Sequence, residues 1–92
     1  MSKIVRDQLV KNVTTAGTQV PLSASSLGFA EVIIQAKVTN TGYIYIGDLD
    51  VDYTYLALSA GSTVDLDGGD FKDIYIDSDV NGEGVTCFYR KV

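Results

Sequence analysis

The sequence has no histidine. That excludes His-dependent triads, imidazole general bases and imidazole metal clusters. One cysteine, Cys87, cannot close an intrachain disulfide. Only two glutamates are present, Glu31 and Glu83, and one proline, Pro21. No stretch approaches the roughly 18 apolar residues that a membrane-spanning helix needs. No window of about 11 residues carries a helical period. There is no G-x-x-x-x-G-K phosphate loop, so Gly68-Gly69 and Gly82-x-Gly84 read as turn glycines. Residues 1–13 hold four charges and no long apolar run, so no signal peptide is expected. A lone cysteine without an export signal fits synthesis in a reducing cytoplasm.

What is present describes one small domain. The 92 residues are 46% hydrophobic and 21% charged, a globular composition. Area scaling gives about 5,200 Å² of folded surface against about 14,000 Å² unfolded, so at most roughly 64% is buried. Without disulfides, stability has to come from tight packing or from association.

The net charge of −5 is unevenly spread. Asp48 to Asp79 contains nine aspartates and one lysine, a net of −8. The basic residues Lys3, Arg6 and Lys11 lie near the start, and Arg90 and Lys91 near the end. Nucleic acid is therefore not an expected partner, because phosphate needs a positive surface. An acidic middle between basic ends can attract copies of the chain or a charged neighbour. The plainer reading is solvated loops and frayed ends.

The dominant period is two, the mark of half-buried antiparallel strands. Glu31 to Val38 places Val32, Ile34, Ala36 and Val38 on one face. Ile44 and Ile46, Val64 and Leu66, Ile74 and Ile76, and Val85, Cys87 and Tyr89 repeat the pattern, with Leu56 and Leu58 in a shorter strand. Two more strands are expected in Val10 to Thr15 and Thr18 to Leu22. Ser23 to Leu27 has room for one short helical turn. Ala16-Gly17, Asn40-Thr41-Gly42, Ala60-Gly61, Gly68-Gly69 and Asn81-Gly82 punctuate these runs. Asn81-Gly82 is the strongest hairpin candidate, since a type I′ turn favours that pair. The fold class expected is an all-β, single antiparallel β-sandwich, jelly-roll-like, of about eight strands. Residues 13–92 would form it, and residues 1–12 an N-terminal arm or edge strand.

Chemistry-bearing constellations are sparse. Asp48-x-Asp50-x-Asp52 opens like a calcium loop, but Tyr53 and Ser59 stand where an EF-hand needs Gly and an acid. Asp65, Asp67, Asp70 and Asp73 form a looser acidic group without a motif. Cys87 lies on an apolar strand face with no base to activate it, so it reads as a small buried hydrophobe. No enzyme activity, metal or cofactor is expected. The tyrosines say more. Tyr43, Tyr45 and Tyr75 point away from the aliphatic faces, and Tyr53 and Tyr55 flank the acidic loop. Outward tyrosines suit a subunit interface, contact with a host surface or stacking against sugar. The alternative is that the second sheet face is covered within the monomer.

Read in order, the punctuated segments form a longer pattern. Val13-Thr14-Thr15-Ala16-Gly17-Thr18 is followed by Glu31-Val32-Ile33-Ile34-Gln35-Ala36. Asn40-Thr41-Gly42-Tyr43-Ile44-Tyr45-Ile46-Gly47 comes next, then Leu58-Ser59-Ala60-Gly61-Ser62-Thr63-Val64, Ile74-Tyr75-Ile76-Asp77 and Gly82-Glu83-Gly84-Val85. This order resembles small all-β virion proteins of tailed bacteriophages and prophages, over about residues 13 to 89. The resemblance implies a capsid decoration (cement) protein, a head fibre or a tail component, and no catalytic residues. Relatives often place a Ser- or Gly-rich loop after the Gly47 position, where this chain has Asp48 to Tyr55.

The expectation that follows is a homo-oligomer, most plainly a trimer, since capsid lattices offer threefold sites. It would be made in the bacterial cytoplasm and reside in the virion. Its partners would be itself and the major capsid protein or other virion proteins, with no nucleic acid and no membrane. Lys3, Arg6, Lys11, Arg90 and Lys91 would grip acidic shell, the acidic loops would face solvent, and Tyr43, Tyr45, Tyr53 and Tyr55 are candidate capsid or subunit contacts. The alternative is a tail, baseplate or fibre module that touches glycan through those tyrosines. A third class is a host-encoded sugar-binding domain.

Overall fold

Strand-forming alternation builds two four-stranded sheets. A computed structural model describes residues 6–92. In chain order the strands are β1 (Asp7–Asn12), β2 (Val20–Pro21), β3 (Gly28–Ala36), β4 (Ile44–Gly47), β5 (Leu56–Leu58), β6 (Thr63–Asp70), β7 (Tyr75–Ser78) and β8 (Gly84–Lys91). One antiparallel sheet has the order β1-β8-β3-β6 and the other β2-β7-β4-β5. The chain crosses between sheets at every connection except β4 to β5. The protein is all-β and sandwich-like: both sheets contribute to one cluster of buried side chains.

That cluster joins Val32, Ile34 and Ala36 of β3 and Val85, Cys87 and Tyr89 of β8 to Ile44 and Ile46 of β4, Leu58 of β5 and Ile76 of β7. Val64, Leu66 and Ile74 pack against it while partly exposed. Each fully buried aliphatic side chain is worth about 1.5–3 kcal/mol, so these alternating positions dominate the stabilisation.

An aromatic plug closes one end, and alternation does not reveal it. Phe71 lies in a single 3₁₀ turn, Phe71–Asp73, directly after β6. It is fully buried, with its ring 4.7 Å from Phe29 and 4.8 Å, edge-on, from Tyr89. Asp70 caps the turn by accepting from the Lys72 N–H, and also accepts from the Leu27 N–H, each at 2.9 Å. Gly69 makes room for the plug, since a Cβ there would come within 2.9 Å of the Phe29 ring.

Five expectations need correction. Val38 is not core but 72% exposed, because β3 ends at Ala36 and the backbone turns there, with Asn40 N–H donating to Lys37 C=O at 3.0 Å. Leu56 is also outside the core, 54% exposed at the start of the edge strand β5. Gly68-Gly69 does not break a strand but lies within β6, Gly68 taking a positive φ of 72°. Asn81-Gly82 makes no hairpin, since β7 and β8 belong to different sheets. Only Gly82 of that pair has positive φ, which a type I′ turn would require of both. Ser23 to Leu27 forms no helical turn.

Candidate functional site

The outer face of the second sheet gathers most of the nominated tyrosines. Alternation along β4 sends Ile44 and Ile46 inward and Tyr45 outward, directly opposite Asp77 of β7. Yet Tyr45 is only 8% exposed. It points outward as expected, but loops roof the sheet's outer face and leave it little surface. The Ala16-Gly17 turn is tied down over β7: Asp77 Oδ1 accepts from the Gly17 N–H at 2.9 Å, and Asn81 Oδ1 accepts from the Ala16 N–H at 2.7 Å. The 48–55 loop covers the other side, its own Val51 buried.

That loop is built by its aspartates. Asp48 Oδ1 accepts from the Asp50 N–H at 2.9 Å, and Asp52 Oδ1 accepts from the Thr54 N–H at 2.9 Å and from the Thr54 hydroxyl. The hydroxyl bond first, then the backbone bond, holds the Asp52 carboxyl below its usual range. Tyr55 lies across Gly47, where any Cβ would meet its ring, and its hydroxyl donates to Asp48 at 3.2 Å. Desolvation first, then that bond to Asp48, raises the Tyr55 phenol. Tyr53 makes no such bond; it is 77% exposed at the loop tip.

Asp79 organises the tyrosines on β4 and its entry. Its Oδ1 accepts from the Tyr45 hydroxyl at 2.8 Å and its Oδ2 from the Tyr43 N–H at 3.1 Å. The bond to Asp79, then desolvation, pushes the Tyr45 phenol up to about 12. Tyr43 is half exposed, its ring 6.5 Å from that of Tyr45. Two shallow depressions flank this pair. One, of about 450 Å³, is lined by Thr41, Gly42, Tyr43, Ser59, Ala60 and Asp79. The other, of about 420 Å³, lies over Tyr45, Asp77 and Ser78, with Ala16, Gly17, Asp52, Tyr53 and Asp79 around it.

The turn beside the first depression is clamped from β8. Buried Asn40 donates from Nδ2 to the Gly84 C=O at 2.9 Å and accepts from the Gly84 N–H at 3.4 Å. Glu83 accepts from the Thr41 N–H at 2.7 Å and from the Gly42 N–H at 2.9 Å. Those backbone donors, Gly42 foremost, hold its carboxyl below the usual range. Asn40-Thr41-Gly42 and Gly82-Glu83-Gly84, far apart in sequence, are thus two halves of one fastening.

The basic residues gather elsewhere. Arg6 and Arg90 converge on Glu31 on the outer face of the first sheet, Arg90 at 3.5 Å, and Arg6 lies 5.4 Å over the Phe88 ring. Lys91 pairs with Asp7 at 3.3 Å. The Arg90 and Lys91 pairs are exposed and worth about 0–1 kcal/mol, whereas Arg6 is only 23% exposed. Lys11 is half-buried on edge strand β1, opposite Val85. Lys3 lies outside the described residues. The nominated residues therefore form two groups: tyrosines on the second sheet, cations on the first.

Among the described residues no three acidic or cysteine side chains converge as a metal set. Cys87 is fully buried, and desolvation pushes its thiol up to about 12. The residues alternation missed here are Asp77 and Asp79. Asp77 is a polar residue at an outward strand position and Asp79 lies in the bend just after β7, and only the roof of loops gives them meaning. Comparison of the chain with protein families, with curated proteins and with solved structures finds no match.

Proposed function

We propose that the chain is a structural protein of a tailed-phage particle: a jelly-roll sandwich that docks on the outside of the capsid shell and braces it. The observation that carries this reading is the strand order. The arrangement β1-β8-β3-β6 over β2-β7-β4-β5, with sheet-to-sheet crossings at all but one connection, is the order expected of an eight-stranded jelly roll. Such a body leaves the edges of β1, β6, β2 and β5 and the loop-covered face for contact with neighbours. The resemblance of the segment order supports the virion assignment, and its Asn-Thr-Gly and Gly-Glu-Gly segments are those that fasten together.

Assembly as a trimer would multiply modest contacts through effective concentration. The expected role of the terminal cations changes in this reading. Arg6, Arg90 and Lys91 already meet Glu31 and Asp7, so gripping an acidic shell would first break those pairs. The test is to add purified protein to shells stripped of it, measuring native mass and shell occupancy. Saturable binding by a trimer, with a raised shell melting temperature, is the expected result; a monomer that ignores the shells refutes it.

A second reading, a tail or fibre module that binds glycan, is favoured by one observation: Tyr53 stands exposed at the rim of the Tyr45–Asp77 depression. Reproducible binding on a glycan array, lost in Tyr53→Ala, would favour it.

A further inference from the structure

The two long free edges of the molecule belong to one sheet and lie at its opposite sides. β1, of six residues, begins the order β1-β8-β3-β6, and β6, of eight, ends it. The other sheet offers less: β2 is two residues including Pro21, and β5 is three. Backbone parity fixes what each long edge presents. The Val13 N–H donates to the Glu83 C=O at 2.8 Å. Antiparallel alternation from there turns the N–H and C=O of Lys11 and Leu9 toward β8 and those of Gln8, Val10 and Asn12 away from it. The Ala36 N–H donates to the Ser62 C=O at 3.0 Å. By the same alternation Val64 and Leu66 bond toward β3, and Thr63, Asp65 and Asp67 face outward. Among the described residues no strand pairs with either outward row. Apolar side chains are left half-covered at both edges, Leu9 at one and Val64 and Leu66 at the other.

We infer that copies of this chain join head to tail, β1 of one copy pairing antiparallel with β6 of the next. One sheet then runs on through the assembly. Charge selects this pairing. At the β1 edge Lys11 and Lys37 have no ion-pair partner among the described residues, and Lys37 donates to the Asn12 side chain at 2.7 Å. On β6 Asp65 and Asp67 are exposed and equally without an ion pair. Pairing β6 with β6 sets carboxylate against carboxylate, and pairing β1 with β1 sets lysine near lysine. Only the unlike edges attract each other. Direction agrees as well. Within a copy β1 and β6 run antiparallel, since three antiparallel pairings separate them. Rotation about an axis along the strands therefore brings β6 of one copy against an antiparallel β1 of the next. A strand of an unlike protein is the poorer occupant, because the chain's own two edges already match in direction and charge. A head-to-tail contact closes into a ring or continues as a filament. The inference rests on the self-association in the proposed function and names its interface; it needs no shell.

The test is the native mass of the whole chain and of two edge variants, Val10→Pro and Asp65→Pro. Each removes an N–H that faces away from its own sheet, a place where proline is tolerated. Far-ultraviolet dichroism checks that the strands persist. Each variant alone should fall to a monomer. An equimolar mixture should form a dimer and nothing larger, because one variant keeps only β6 and the other only β1. A pair without proline, Val10→Asp and Asp65→Lys, reads the same contact through charge. Each should weaken assembly alone, and mixing them should restore it. A wild-type multimer whose mass none of the four variants changes would overturn the edge pairing and leave self-association standing. Loss of assembly in the β1 variants but not in the β6 variants would overturn the head-to-tail order. A wild-type monomer at every concentration would overturn self-association itself.

Discussion

Replacing Phe71 with alanine should destabilise the protein severely, although no strand contains it. Its ring is fully buried between Phe29 and Tyr89, with centroids 4.7 and 4.8 Å away. Removing a buried phenylalanine costs about 3–5 kcal/mol. A domain of this length has about 5–14 kcal/mol to lose. Phe71→Ala should therefore lose from about a fifth to nearly all of that margin. Phe71→Leu keeps most of the volume and loses chiefly two aromatic pairs, about 1–3 kcal/mol together. The assay is urea unfolding followed by tyrosine fluorescence and far-ultraviolet dichroism. For Phe71→Leu the midpoint should fall with the slope unchanged, since the surface exposed on unfolding is the same. A loss below about 1 kcal/mol for Phe71→Ala would refute the reasoning, because no sealed aromatic plug yields so little on truncation.

Asn40→Ala should cost about 1–2 kcal/mol by removing the buried amide bonds to Gly84, and amide exchange should quicken first at Thr41 and Gly42. Cys87 should resist thiol reagents in the native protein and react more than about a thousandfold faster once unfolded; rapid native labelling would contradict its burial. Tyr45 should ionise above the usual phenol range in ultraviolet titration. Its folded pKa is raised to about 12 from the usual 10, so the stability it adds is complete below pH 10 and is lost as pH rises through 12. Asp79→Asn should bring that titration back toward the ordinary value, by removing the charged acceptor.

The alternating positions of β3 and β8 were readable because both strands lie mid-sheet, where a side chain's face decides its burial. Legibility failed where burial depends on distant chain. Tyr45 obeys the alternation and still is covered, because Gly17 and the 48–55 loop come to it from elsewhere in the sequence. Phe29 and Phe71 sit among residues that break the period, and their pairing is visible only once β6 lies beside β3. Asn81-Gly82 carries a hairpin's residues, but a connection that changes sheets needs a turn just as much. The burial of Asp77 was hidden for the same reason as that of Tyr45. An aspartate at an outward strand position reads as solvated until a roof is known to cover it.

The central proposal, that this body adheres to the outside of a viral shell, is tested most directly by image reconstruction of purified particles from the phage or prophage whose genome carries the gene. Density matching two four-stranded sheets, repeated at symmetric positions on the outer shell surface, is the expected result. Particles that lack the chain at every shell and tail position would contradict it.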